Sequence, residues 1–288
     1  MFELLLEPFA FQFMRNGLYA GLLTVVSASL VGTWVVMRGM SFMGDAMAHG
    51  VLPGIAVAFL LGGNLLVGAS ISAAVMIGGV TLASSRSRLG DDVAIGLLFV
   101  GMLALGVTII SARGAYAGDL TTILFGDPIG VTPGNLRTLA IATGLTILIT
   151  VVLYRPFLVL SFSRAKAVVL GMHPRLAHFA MLGLIAMVIV TSFRTVGTLL
   201  VFAFLVAPPA TASLIARRVP VMMLVSILVG STSVLAGLLI SYYYGTATAA
   251  TIAGLSVLLY FVVLAVREVV EGVRSQLRRR EPNVPAPA

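Results

Sequence analysis

Long apolar runs, separated by short polar breaks, dominate the chain. A helix needs about 20 apolar residues to cross roughly 30 Å of hydrocarbon. By that measure the pattern predicts spans over residues 18–37, 42–61, 65–83, 93–111, 136–153, 179–193, 196–215, 219–242 and 246–266. The sixth is short and nearly touches the seventh. The count is therefore nine, or eight if those two form one broken unit. Residues 1–12 carry Glu3 and Glu7 and no basic residue, so they lack the positive start of a cleavable signal peptide. They read as an interfacial segment leading into the first span. Residues 13–266 form one transmembrane domain, and 267–288 form a tail whose last eight residues hold three prolines.

Composition agrees with the pattern. Of 288 residues, 59% are hydrophobic and only 10% charged, against about 25% charged in an ordinary soluble domain. That excludes disorder, nucleic-acid binding and most soluble enzymes. The fold class is all-α, a polytopic helical bundle of eight or nine spans. The net charge of +8 reads as a topology signal rather than a nucleic-acid footprint, because the basic residues cluster in alternate loops. Arg86 and Arg88 occupy one loop. Arg155, Arg164, Lys166 and Arg175 occupy the longest, 154–178. Arg217 and Arg218 form a third cluster, and Arg267, Arg274 and Arg278 to Arg280 lie in the tail. Those loops and the C-terminus are expected to be cytoplasmic, with the N-terminus outside if there are nine spans. Cysteine is absent, which excludes thiolate ligands, disulfides and a cysteine nucleophile.

Candidate chemistry is sparse. Asp45 and His49 lie inside the second span, where ionisable groups are costly and functional by default. Four residues apart, they share one helix face. A carboxylate and an imidazole make half a site for a divalent ion, and a two-fold dimer would double it to four ligands. The competing reading is a structural Asp–His hydrogen bond. Pro53, flanked by Gly50 and Gly54, marks a helix break that lines a cavity or is a simple kink. Pro208 and Pro209 mark a second, as a kink or a gate. Residues 163–171 read as a basic helix ended by Gly171, either a docking element for a soluble partner or a solvated linker. His173 and His178 read as loop residues, and Arg194 as snorkelling outward. A stripe of Met40, Met43 and Met47 reads as packing. The chain has no P-loop, no HExxH and no GxSxG, so it neither binds ATP in a P-loop nor carries the common hydrolase signatures.

One stretch, residues 38–54 (RGMSFMGDAMAHGVLPG), resembles the signature of the membrane subunits of metal-ion ABC importers of the manganese/zinc/iron type. Residues 92–99 (DVAIGLLF), 124–127 (LFGD), 196–212 (VGTLLVFAFLVAPPATA) and 237–243 (GLLISYY) follow in that family's order. The resemblance covers about residues 9–266. It implies a homodimeric permease in a prokaryotic inner membrane, partnered by cytoplasmic ABC ATPase subunits and an extracytoplasmic metal-binding receptor. It implies that Asp45 and His49 bind the transported Mn2+, Zn2+ or Fe2+. ATP would be hydrolysed in the partner, and the permease would need no cofactor of its own. It places the ATPase-coupling helix over Ser163, Arg164, Lys166 and Gly171. Two departures occur: Ser163-Arg164 stand where the family often has an acidic residue, and the usual Pro-x-Gly after Tyr243 is missing. The alternatives are an ATP-independent metal carrier or channel, and an intramembrane enzyme using Asp45 and His49 as acid and base.

Overall fold

The computed structural model describes residues 7–86, 91–111, 126, 130–162, 166, 169 and 171–280. Among them there is no strand. After a short 3-10 turn at Glu7–Ala10 come α1 (Gln12–Met37), α2 (Ser41–Gly50), α3 (Leu52–Leu60), α4 (Leu65–Arg86), α5 (Asp91–Ser111) and α6 (Pro133–Val152). The short α7 (Tyr154–Phe162) follows, then α8 (Pro174–Val196), α9 (Thr198–Ile215), α10 (Val219–Tyr244) and α11 (Thr248–Arg280). With α2 and α3 taken as one broken span, the described residues hold nine helical stretches long and apolar enough to cross a membrane.

Local sequence explains most boundaries. Proline opens α6 and α8 and lies in the first turn of α3 and α10, where its missing N–H costs nothing. Thr132 caps α6 by accepting from the Asn135 N–H at 3.3 Å. Gly197 separates α8 from α9 with φ 81° and ψ 155°, a conformation open in practice to glycine alone. That single residue makes the sixth and seventh spans two helices.

The bundle has a centre and a rim. α1 packs against α6, α8, α9 and α10; α9 also meets α2, α10 and α11; α3 and α5 close the other side with α4. Hydroxyl groups also link helices: Thr143 on α6 donates to the Leu23 carbonyl on α1 at 3.1 Å. Trp34 of α1 is fully buried and sits edge-on to Tyr154 and Phe157 of α7, with ring centroids 5.4 and 5.6 Å away. This seats the short helix α7 against the end of α1.

Candidate metal-binding face

The break between α2 and α3 positions the site. Pro53 has no N–H to offer the His49 carbonyl one turn earlier, and the helix is interrupted at Val51. Ser72 on α4 stitches the gap, its hydroxyl donating to the Gly50 carbonyl at 2.8 Å. Below the break, Met43, Ala46 and Met47 turn into the core. Asp45 and His49 turn the other way, with side chains 29% and 23% exposed.

Asp45 Oδ1 and His49 Nε2 are 3.6 Å apart. That is too long for a hydrogen bond, so the structural Asp–His bond is not formed. It matches a shared cation instead: ligand bonds of about 2.1 Å in a tetrahedral shell put two donors roughly 3.4 Å apart. The described residues contain no cluster of three or more His, Asp or Glu side chains able to hold a metal. Asp45 and His49 thus stand as a pair on a partly exposed face, without a third such side chain clustered with them among the described residues. Beside it, Phe99 of α5 meets the His49 ring edge to face, with centroids 5.5 Å apart. The motif at 92–99 contained Phe99, but nothing in its spacing signalled a contact 50 positions away.

The other predicted residues lie elsewhere. α9 runs unbroken through Pro208 and Pro209, where the sequence pattern suggested a break. The carbonyl of Leu205, one turn before Pro209, is met by α1, since a Cβ on Gly32 would collide with it. Backbone freed by proline is thus covered by a neighbouring helix. Lys166 is helical and exposed, and Gly171 turns the chain with φ 69°. Ser163 and Arg164 lie outside the described residues. His178 is not a loop residue: it sits in the first turns of α8, where its Nδ1 lies 3.0 Å from Arg38 Nη1. His173 is exposed at the α8 N-cap, and Arg194 is exposed as expected.

The nine apolar helical stretches among the described residues mark a multi-pass membrane protein. The model of the ABC 3 transport family matches residues 10–267, and the chain belongs to that family as a membrane permease. It is 35% identical over 265 residues to a probable iron transport system membrane protein of Haemophilus influenzae, covering 92% of this chain and 97% of that one. It is 34% identical over 244 residues to the manganese transport system membrane protein MntC of Halalkalibacterium halodurans, covering 84% and 83%. Among solved structures, PsaBC from Streptococcus pneumoniae in complex with Fab superposes with a TM-score of 0.82 at 30% identity, over 91% of this chain and 95% of that one.

Proposed function

We propose that this permease is the membrane subunit of an ATP-driven importer of divalent transition-metal ions, Mn2+, Zn2+ or Fe2+. Two copies would meet with Asp45 and His49 facing each other across the two-fold axis. The observation that carries this is the half-site: two donors at chelating separation, partly exposed, with no cluster of further ligands among the described residues. A second copy supplies the missing pair. Iron and manganese relatives support the cargo class, and the Irving–Williams order leaves the choice among metals to geometry and supply.

The basic end of the bundle, with Arg38, Arg155, Arg175, Arg217 and Arg218, would face the cytoplasm. The C-terminus would be cytoplasmic as well. Lys166 and Gly171 belong to the segment that would engage the partner ATPase, with Ser163 and Arg164. An extracytoplasmic receptor would deliver the ion at the opposite end. Pro53 would serve the pathway by holding the α2–α3 break beside the ligands, and Pro208 and Pro209 would shape α9 behind it.

Metal-uptake assays in cells carrying Asp45→Ala or His49→Ala test the reading. Each variant should reach the membrane in normal amounts and lose at least about tenfold in uptake. Normal uptake by both removes the pathway assignment. Uptake that persists without the ATPase subunit would favour the ATP-independent carrier.

A further inference from the structure

His49 is held in an unusual way for a metal ligand. Metal-binding histidines generally donate their second ring N–H to a carboxylate, a carbonyl or water, which fixes the tautomer and raises basicity. Among the described residues, His49 Nδ1 has no hydrogen-bond partner, and it is fully buried within a single chain. A second protomer therefore cannot reach it. The ring rests instead on Phe99 of α5, at 5.5 Å and an interplanar angle of 72°. Phe99 is packed in turn against Phe42, at 5.6 Å and 67°. Phe42, Asp45 and His49 recur at the three- and four-residue spacing of one helix face. Phe99 thus leans on both ends of the stripe that carries the ligands.

We propose that Phe99 is a positioning residue for metal transfer, holding the His49 imidazole with Nε2 toward Asp45 while giving Nδ1 no strong acceptor, so that the imidazole binds metal weakly and lets it go. The proposal rests on the reading of Asp45 and His49 as metal ligands. Edge-to-face packing sets ring orientation, since aromatic pairs have preferred geometries. The acceptor side follows from the proton count. In the free site Nε2 faces the Asp45 carboxylate at 3.6 Å, and Nδ1 is the buried nitrogen. A metal takes the Nε2 lone pair, so the neutral ring must carry its one proton on Nδ1. There the buried N–H finds no hydrogen-bond partner among the described residues. The missing hydrogen bond lowers affinity, and conduction needs sites weak enough to release their ion.

The test measures 54Mn2+ uptake against concentration in cells producing the full chain with its partner subunits. It is paired with 15N NMR of the metal-free, histidine-labelled full-length protein. The chain has three histidines, so His49→Gln assigns the signal. F99L should raise the half-saturating Mn2+ concentration about tenfold with maximal uptake little changed, and should average the His49 tautomers. F99Y, which keeps the ring, should restore wild-type values. F99Q, whose amide oxygen gives Nδ1 an acceptor, should lower both half-saturation and maximal rate. Unchanged half-saturation and unchanged His49 shifts in F99L overturn the proposal. So does a wild-type His49 that already averages between tautomers, a result that needs no variant to fold. If D45A and H49A are inactive and F99L behaves as wild type, only this proposal fails. If D45A and H49A import normally, the ligand reading fails first and takes the proposal with it.

Discussion

Helices α1, α2–α3, α8 and α9 bury 61 to 67% of their most apolar windows, whereas α4, α5, α6 and α11 bury 22 to 28%. Windows of similar hydropathy occur in both groups. Apolarity therefore places a helix in the membrane without saying where in the bundle it goes. Lipid solvates leucine as well as another helix does, so association depends on close backbone approach and on interhelical hydrogen bonds. The central helices have both. α1 presses Gly32 onto the Leu205 carbonyl of α9, and the Thr24 hydroxyl on α1 donates to the Ser192 hydroxyl on α8 at 3.4 Å. The rim offers large exposed side chains such as Leu148, Val151 and Leu258, which a bilayer satisfies unaided.

The strongest way to break the comparison is Gly32→Val. Its new side chain would meet backbone of α9, which cannot yield as a side-chain tip can, so about 3 kcal/mol or more should be lost. Thermal unfolding in detergent reads this directly. A wild-type melting temperature would mean the centre is looser than the close approach implies. A middle-sized effect is expected for Arg38→Ala. It removes the contact between the end of α1 and His178 on α8, worth about 1 kcal/mol, and the same melt measures it. The smallest belongs to the rim: Leu148→Ala, on α6, should stay within about 0.5 kcal/mol. A loss there as large as that of Gly32→Val would show that this face is itself a protein interface.

The spans were legible because length and apolarity are one-dimensional properties. Their starts were less so. The sixth predicted span began at residue 179, yet α8 begins at Pro174 and carries Arg175 and His178 in its first turns. A helix end at the membrane edge tolerates such residues by snorkelling or pairing, and Arg38 supplies the pairing. Pro208 and Pro209 misled in the opposite direction. A proline weakens its own helix, but the consequence depends on what covers the freed carbonyl, and here α1 covers it.

The site divides along the same line. That Asp45 and His49 share a face follows from helix geometry alone, and their rarity in an apolar chain made them conspicuous. The 3.6 Å separation that disfavours a direct hydrogen bond required coordinates. So did Phe99, because its link to His49 is a ring contact between separate helices. The sequence by itself determined that this chain lives in a membrane as eight or nine helices, with Asp45 and His49 paired inside one of them. The free energy of burying apolar residues in hydrocarbon is set residue by residue. Tertiary structure decided which helices form the centre, which nitrogen of His49 faces Asp45 and which ring holds it there. Those outcomes depend on backbone approach and ring geometry between segments far apart in the chain, which no local pattern encodes.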